Sequence, residues 1–382
     1  MDYLANFRDY VLYFLIVLSV VVFVHEMGHF LVARFNGVRV DVFSIGFGHE
    51  LFGFNDRRGT RWKFSLIPLG GYVKMFGDAD ASSARPDTSE DAPPMTEEER
   101  AVSYHHKRLG QRAAIIVAGP LSNFVFGILV FALMFMTVGQ PVTPSVVGQV
   151  TPGSAAESAG VLSGDKILSI DGTATPRFSD VQRLVQLSSG APLHVLLSRQ
   201  GREVEVSVTP RFTEVTDNFG NVRRVPLLGI SVSRAEEELV RHGPSSAVEE
   251  AFRQTYNVVS GTFVTVGQMI AGTRSTEDLG GPLRIAQVSG QAAKGGWESL
   301  VMFTAFLSIN LGLINLFPIP LLDGGHLLFH AIEAVLRRPL TERAQEFGLR
   351  VGLVLVLGLM VFSTWNDLVQ LKIWDFFISL IP

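Results

Sequence analysis

The sequence predicts an α-helical polytopic membrane protein with four transmembrane helices, a membrane-associated β region and one small α/β domain. Hydrophobic residues make up 47% of the 382 residues, and the mean hydropathy is +0.30, which is typical of an integral membrane protein with soluble parts. Four apolar stretches approach the roughly 20 residues that a helix needs to cross a bilayer. Between the second and third stretches, alternating apolar and polar residues predict the strands of a small folded domain.

The predicted segments follow one another with short connections. In chain order they are transmembrane helix 1 (1–36), a membrane-reentrant β region (37–77), a cytoplasmic loop (78–112), transmembrane helix 2 (113–138), the small domain (142–210), a linker with an amphipathic helix (211–298), transmembrane helix 3 (299–322), a second cytoplasmic loop (323–348), transmembrane helix 4 (349–369) and a C-terminal tail (370–382).

Composition excludes two classes of partner and ligand. The formal net charge of −4 argues against nucleic acid, because no basic face is concentrated enough to neutralise phosphates. The chain has no cysteine, so disulfides and thiolate metal ligands are impossible. Any metal ion must therefore be held by nitrogen and oxygen atoms.

The first apolar stretch, Val11 to Arg34, is the one around which the prediction is organised. It is preceded by MDYLANFRDY, which lacks a basic region and a small-residue cleavage site, so we expect an uncleaved transmembrane helix rather than a signal peptide. Within the apolar stretch stands HEMGH, residues 25–29. Ionisable residues at membrane depth are costly and usually functional.

The HExxH pattern places His25 and His29 one helical turn apart on a single face, where they could share one metal ion. Glu26 follows directly and lies within reach of a water on that metal. Chance HExxH matches occur in soluble helices, and all three residues could be satisfied core residues. The cost of burying them in an apolar membrane helix favours the metal site.

The next segment predicts β structure. VRVDVFSI (38–45) and RWKFSLIPLGGYVKM (61–75) alternate apolar with polar or β-branched residues, and Gly70 and Gly71 interrupt the second run. Two interpretations are open: a sheet that dips into the membrane beside helix 1, or an ordinary small cytoplasmic β domain. The acidic, Ser- and Pro-rich stretch 78–99 predicts a mobile loop. His105 and His106 predict a solvated helix start rather than a metal pair, since adjacent residues do not share a helical face.

The second apolar stretch, Ala113 to Val138, contains Gly119, Pro120 and Asn123, which suggest packing on a functional partner helix. After it, the run SVVGQVTPGSAAESAGVLSGDKILSIDG resembles a PDZ domain, a fold that takes a peptide strand onto a sheet edge. This resemblance implies that peptides or protein termini bind to the domain.

The rest of the chain predicts one long helix and two further spans. Residues 243–272 predict a helix whose apolar stripe is a packing face, on the small domain or on the membrane surface, and 274–296 looks irregular. The third span carries Asn310 and Asn315 and is broken by Pro318 and Pro320, so its freed backbone groups should line a cavity. The fourth span covers 350–368.

The distribution of Lys and Arg predicts the orientation. Basic residues border the loops between spans one and two and between spans three and four, but are absent after span two up to Lys166. Both termini and the small domain should therefore lie outside the cytoplasm, with the HExxH motif near the cytoplasmic side. This arrangement also predicts contact with a lipid bilayer.

A catalytic zinc usually takes three protein ligands and leaves one position open to water. Spacing alone leaves Asp323, His326, His330 and Glu333 as candidates for the third ligand. Asp before Gly-Gly could also be a helix cap. We favour Asp323 because it ends the broken third span, where a turn can direct a carboxylate into a cavity. Bound zinc would lower the pKa of a water toward about 7, and Glu26 would accept its proton.

HEMGH, GPLSNF, the PDZ-like run, LGGPLRIA and LSINLGLINLFPIPLLDGGH together resemble the site-2 protease family of intramembrane zinc peptidases. The most similar type is the bacterial RseP type, which regulates sigma-E. The resemblance implies that His25, His29 and Asp323 bind Zn²⁺ and that Glu26 is the catalytic base.

It also implies that Asn315, with Asn310, Gly70 and Gly71, lies in the substrate-binding region, and that the sheet around 46–74 pairs with an extended substrate. Many relatives carry two PDZ domains, whereas this chain has room for one.

The predicted function is hydrolysis of peptide bonds within transmembrane segments of single-span proteins. The resemblance implies an anti-sigma factor already cut once, or remnant signal peptides, as substrates, and the inner membrane of a bacterium as the location. The PDZ-like domain would then be periplasmic. The alternative is a membrane scaffold or transporter with a structural metal site.

Overall fold

The computed structural model describes residues 2–78, 95–188, 190–216, 222–232, 238–272 and 280–370. Its α-helices are α1 (Asp2–Phe35), α2 (Glu97–Val102), α3 (Leu109–Thr137), α4 (Ala155–Ser158), α5 (Phe178–Leu187), α6 (Pro244–Ile270), α7 (Pro282–Lys294), α8 (Trp297–Asn315), α9 (Asp323–Leu336) and α10 (Glu342–Gln370). Its strands are β1 (Val40–Asn55), β2 (Arg61–Met75), β3 (Gln140–Val142), β4 (Val147–Val150), β5 (Lys166–Ile170), β6 (Thr173–Ala174), β7 (Leu193–Arg199), β8 (Arg202–Val208), β9 (Arg211–Thr216), β10 (Val222–Leu227), β11 (Ile230–Val232) and β12 (Glu238–Val240).

The elements form two compact units. The membrane unit comprises the described residues of Met1–Leu133, Val248–Val264 and Thr276–Pro382, and the PDZ-like unit those of Met134–Ala247 and Thr265–Ser275. Among the described residues, four helical stretches are long and apolar enough to cross a membrane: Arg8–Phe35, Leu109–Thr137, Trp297–Asn315 and Arg343–Val369. They overlap the four predicted spans, although the third ends at Asn315 and not at residue 322, and the predicted fold class is confirmed.

Helix α1 and the paired strands β1 and β2 share a core with α3. The helix ends where Gly37 adopts a left-handed φ of 68°, a conformation that favours glycine. The buried side chains of this core are Phe30, Ala33, Val38, Val40, Phe43, Val73, Met75, Tyr104, Ile115 and Ile116. The β region is therefore fixed directly against the helix that carries HExxH.

Strand β1 continues well beyond the predicted 38–45, to Asn55. It turns through Gly46 and Gly48, whose φ values are 89° and 85°, and pairs antiparallel with β2 from Val40 opposite Met75 to Asn55 opposite Arg61. The sequence pattern misses this extension because the two glycines resemble turn residues. The extension of β1 and the middle of β2 expose large apolar side chains: Phe47, Leu51, Phe52 and Phe54 on β1, and Leu66, Ile67 and Leu69 on β2. Such a surface favours the membrane-associated interpretation of the sheet.

The turn between β1 and β2 is held to the end of α1. Asp56 accepts hydrogen bonds from the backbone N–H groups of Arg58 (2.8 Å) and Thr60 (3.1 Å) and from Nε1 of Trp62 (3.2 Å), and it pairs with Arg34. Partial burial opposes ionisation, but the hydrogen bonds from Trp62, Arg34 and the two amides lower the pKa of Asp56 to about 2.

We expect the Asp56 turn to resist acid down to about pH 2. A depressed carboxyl pKa stabilises the fold above the unfolded value of about 4, and that contribution is lost as the pH falls through the folded value. The fluorescence of Trp62, in a variant whose other tryptophans are replaced by Phe, should therefore change near pH 2. Asp56→Asn should shift the emission already at neutral pH and remove that acid transition. A wild-type transition centred near pH 4 would contradict the assignment.

His105 was predicted to be solvated at a helix start, and this prediction is wrong, because His105 is paired with Asp78. Its Nε2 lies 2.9 Å from Oδ1 of Asp78, whose side chain is buried, and Oδ2 of Asp78 accepts the backbone N–H of Met75. The partner lies 27 positions away, so local sequence gives no sign of it. Within the predicted mobile loop 78–99, Glu97–Glu99 instead form the first turn of α2, capped by Thr96, and residues 79–94 lie outside the described residues.

The PDZ-like unit contains the predicted strands and the predicted helix α5. A sheet of order β6-β5-β7-β8 covers a core that includes Ile167, Val181, Val195 and Leu197. The fold extends beyond the predicted boundary at residue 210, because β11 pairs with β4 and the buried Leu228 belongs to the same core. These contacts join distant segments, which an alternating pattern cannot reveal.

Helix α6 forms as predicted, and residues of its apolar stripe, such as Phe252 and Tyr256, are exposed, so packing of this stripe on the membrane surface stays a prediction. Two other segments differ from the predictions. Residues 282–294, predicted to be irregular, form α7, and the predicted second cytoplasmic loop, 323–348, contains α9 and the start of α10. Helix α7 lies so close to α1 that a Cβ on Gly290 would be 1.8 Å from Cδ1 of Tyr10. Gly290, which permits this approach, also hides the helix from sequence patterns, because glycine has a low helix propensity. The predicted tail beyond residue 370 lies outside the described residues.

Candidate metal centre

Helix α1 places both imidazoles of HExxH on one face. His25 and His29 are each buried, 8% exposed, and their Nε2 atoms are 3.2 Å apart. The rings meet edge to face, with centroids 4.8 Å apart. At about 1.5 Å per residue, His25 lies about 15 Å from the end of the helix at Phe35. The pair therefore lies well inside the first span.

Helix α3 packs closely behind the two histidines. A Cβ on Gly28 would be 2.3 Å from the carbonyl oxygen of Ala118, and one on Gly119 would be 2.2 Å from Nε2 of His29. Only hydrogen at these positions lets the two helices approach to this distance. Nδ1 of His29 donates to the carbonyl oxygen of Ile115 at 2.9 Å, so the lone pair of the neutral ring lies on Nε2, toward His25 and Asp323.

The third group of the site comes from the turn after α8. The helix ends at Asn315, before Pro318 and Pro320, and Asp323 is the first residue of α9. A Cβ on Gly324 would be 2.2 Å from the carbonyl oxygen of Phe317, and one on Gly325 would be 2.4 Å from that of Ile319. The Gly-Gly pair thus lets the turn fold tightly and brings the Asp323 carboxylate to the histidines.

The three side chains converge on one point. Oδ2 of Asp323 lies 3.0 Å from Nε2 of His25, and Oδ1 lies 3.5 Å from Nε2 of His29. One ligand atom from each residue lies within 4.8 Å of the others, and this is the only such group of metal-ligand side chains among the described residues.

The chemistry of this donor set fits a divalent metal. Asp323 Oδ2 is buried and has no aligned hydrogen-bond donor among the described residues, although a buried carboxylate oxygen is normally satisfied. Two imidazole nitrogens and one carboxylate oxygen are the ligand types of a catalytic zinc site with an open position. A cation at their common focus would satisfy the orphaned oxygen.

Glu26 lies beside this group without joining it. Its partly buried carboxylate has no hydrogen bond or ion pair among the described residues, so it is free to accept a proton. A Cβ on Gly71 would be 3.0 Å from Cγ of Glu26 and 2.9 Å from the carbonyl oxygen of Ser44. Strand β2 therefore passes directly by Glu26.

Among the described residues, no hydrogen bond joins the other predicted substrate-binding residues to the cluster. Gly70 faces the ring of Phe47. The Asn310 side chain donates to the carbonyl oxygen of Phe306 and accepts from Oγ1 of Thr262. Asn315 is partly buried at the end of α8, and no hydrogen bond links it to the metal-ligand cluster.

The alternative third ligands also lie outside the cluster. Glu333 is buried and engaged with Arg112 at 3.0 Å and with the backbone N–H of Leu340 at 3.1 Å. His326 and His330 follow on the same helix but do not belong to the group of possible ligands. The structure thus brings Asp323, and not these three residues, to the histidines.

Sequence reasoning did not assign a role at the site to Gly119, Ile115 or Asn123. Nδ2 of Asn123 lies 3.2 Å from Nδ1 of His25, and both side chains are buried. The sequence marked Gly119 and Asn123 as signs of packing on a functional partner helix, without indicating which helix or which side chains they contact. Their contacts are with α1, 98 positions away in the case of Asn123 and His25, so no local pattern could specify them.

Comparison with known proteins identifies the family. The sequence profile of peptidase family M50 matches residues 13–359. The chain belongs to peptidase family M50. It is similar to "Putative zinc metalloprotease Atu1380" of Agrobacterium fabrum, at 47% identity over 95% of this chain and 96% of that protein. It is also similar to "Metalloprotease MmpA" of Caulobacter vibrioides, at 37% identity over 95% of this chain and 96% of that protein.

Among solved structures, a PDZ domain of an SdrC-like protein from Listeria monocytogenes matches 25% of this M50 peptidase and 94% of that chain, with 18% identity and a TM-score of 0.20. The family comparisons confirm the predicted resemblance, the predicted enzyme class, a metalloendopeptidase, and the predicted zinc cofactor. The chain is a multi-pass membrane protein.

Proposed function

We propose that this M50 peptidase hydrolyses peptide bonds within the transmembrane segments of single-span proteins, with His25, His29 and Asp323 as zinc ligands and Glu26 as general base. The convergence of three ligand atoms on one point, two from the first span and one from the turn after the third, is the observation that carries the proposal. A centre built inside the apolar part of the protein suits a substrate that is itself a membrane segment.

Zinc held by these residues would supply a Lewis acid that polarises the scissile carbonyl and makes a water nucleophilic near neutral pH. Glu26 accepts the proton of that water at its carboxylate and then transfers it to the departing amide nitrogen. The carboxylate is available for this because no side chain among the described residues binds it. His25, His29 and Asp323 hold the metal and take no part in proton transfer.

The β region supports an extended substrate. An unwound transmembrane segment exposes amides that cost several kcal/mol each in lipid unless another backbone binds them. Strand β2 passes Glu26 at Gly71, so its backbone groups are within reach of a peptide at the metal. Gly70, Asn310 and Asn315 are further candidates for contact with substrate, and the resemblance to site-2 proteases supports them.

We assign the protein to the inner membrane of a bacterium, with its termini and the PDZ-like unit in the periplasm and the metal centre nearer the cytoplasm. The distribution of Lys and Arg around the spans supports this orientation. The substrate class is an anti-sigma factor already cut once, or remnant signal peptides, and the resemblance to the sigma-E regulatory type supports it. The PDZ-like unit would bind a peptide or protein terminus.

Metal removal tests the proposal. Purified protein in detergent should cleave a single-span test substrate, and mass spectrometry should place the cut within the apolar span. Treatment with a zinc chelator should abolish cleavage. Two imidazoles and a carboxylate are electron-pair donors, so they cannot replace the metal as a Lewis acid. One equivalent of zinc should restore cleavage in wild-type protein but not in a His25→Ala variant. Cleavage that persists without metal, or that maps only to the substrate's soluble flanks, would contradict the proposal.

A further inference from the structure

The two histidines of the metal centre differ in how their outer ring nitrogens are bonded. Nδ1 of His29 donates to a backbone carbonyl, that of Ile115, at 2.9 Å. Nδ1 of His25 instead lies 3.2 Å from the amide nitrogen of Asn123, and the amide oxygen of Asn123 is buried with no hydrogen-bond partner among the described residues. Both Nδ1 partners come from helix α3, but only the first fixes the tautomer that binds a metal through Nε2.

A neutral imidazole carries one proton, on either Nδ1 or Nε2. If the Asn123 N–H donates to a bare Nδ1, the proton of His25 must be on Nε2, and that nitrogen cannot bind a metal. If the amide is rotated by 180°, its oxygen accepts an Nδ1–H and Nε2 of His25 is left bare. The two amide orientations have nearly the same shape, so the tautomer of His25 determines which is adopted.

Contacts on several sides fix the position of Asn123. The residue is fully buried, and its backbone carbonyl oxygen accepts a hydrogen bond from Oγ of the buried Ser308 at 3.1 Å. A Cβ on Gly312 would be 3.1 Å from Cβ of Asn123. The neighbouring Ser122 donates to the carbonyl oxygen of Val24, one residue before His25, at 2.7 Å. These contacts hold the backbone of Asn123 in place, and its side-chain amide can still rotate about the Cβ–Cγ bond.

We propose that Asn123 is a positioning residue for the metal: its side-chain oxygen accepts the Nδ1 proton of His25 in the metal-bound protein and so directs a bare Nε2 toward the metal. The proposal rests on the proposed metal centre and adds to it the group that selects the tautomer of one ligand. Outer partners of metal-binding histidines are commonly a carboxylate or a carbonyl oxygen. Here α3 supplies two, a main-chain oxygen for His29 and a side-chain oxygen for His25.

The test measures zinc affinity of the full chain in detergent by competition with a chromophoric chelator. Asn123→Leu has similar volume but no acceptor, and it should weaken zinc binding by about 10- to 100-fold. Asn123→Asp offers only acceptors and should bind zinc nearly as tightly as wild type. Asn36→Leu is the matched control, because the Asn36 side chain donates to the carbonyl oxygen of Val32 and accepts from Gln111. Its zinc affinity should equal that of wild type.

A second measurement separates positioning from folding. Protein loaded with Co²⁺ should show an altered visible spectrum in Asn123→Leu and a restored spectrum in Asn123→Asp. If Asn123→Leu does not elute as folded protein, Asn123→Ala provides the same contrast with Asn123→Asp. Equal zinc affinity of wild type and Asn123→Leu, or equal weakening by Leu and Asp, would overturn the role of Asn123. Failure of wild-type protein to bind zinc would instead overturn the metal centre itself.

Discussion

Glu26→Gln should abolish peptide cleavage and leave zinc binding unchanged. The amide cannot accept a proton from water, and loss of a general base typically lowers a rate by about 10²- to 10⁴-fold. Zinc affinity should be retained because Glu26 is not one of the converging ligands. The substitution also keeps the shape of the side chain, which matters because Gly71 passes so close to it. Cleavage of a single-span substrate and zinc content of the same preparation check the two halves of this prediction.

Glu249→Gln is the matched control for this variant. Its side chain is 72% exposed on α6 and makes an exposed i,i+4 ion pair with Arg253, so activity should equal that of wild type. Cleavage at the wild-type rate by Glu26→Gln would remove Glu26 from the mechanism. Loss of zinc from that variant would place Glu26 among the ligands instead.

Gly119→Ala should release the metal. The added Cβ would be 2.2 Å from Nε2 and 2.4 Å from Cε1 of His29, distances that real Cβ atoms do not tolerate. The ring cannot simply turn away, because its Nδ1 is bonded to the carbonyl oxygen of Ile115. Displacing one of three ligands should weaken zinc binding by about 100-fold or more and remove peptidase activity with it.

Gly110→Ala on the same helix is the matched control, because a Cβ there meets no atom within 4 Å. Alanine is better than glycine inside a helix by roughly 0.5–1 kcal/mol, so neither change should weaken α3 itself. A loss of zinc confined to Gly119→Ala can then only come from contact with His29. Equal zinc affinity for both variants would show that the packing of α1 on α3 is looser than described.

The spans and the placement of two histidines on one helical face could be predicted from sequence because their signals are local. Apolar runs mark the helices, and the four-residue spacing of His25 and His29 places them on one face. Asp323 could be favoured because prolines precede it and glycines follow it, but its approach to the histidines depends on tertiary structure. The resemblance to site-2 proteases implies the same residue.

The parts that sequence did not predict depend on contacts between distant segments or on glycine. Strand β11 completes the PDZ-like unit from beyond the predicted boundary, and Asp78 binds His105 across a long loop. Glycines obscured both the extension of β1 and helix α7, because a residue that weakens regular structure locally also permits close packing. Asn123 predicted packing on a functional partner helix, but its contact with His25 on α1 could not be specified from local sequence.

The proposed ligands lie in the first helix and after the third span, and this separation has a consequence for biosynthesis. A nascent chain that has inserted only its first two spans holds the two imidazoles but not the Asp323 carboxylate. Such an intermediate would lack a complete metal site and could not cleave the membrane proteins inserted around it. Translation of Asp323 would therefore be the step that completes the proposed site.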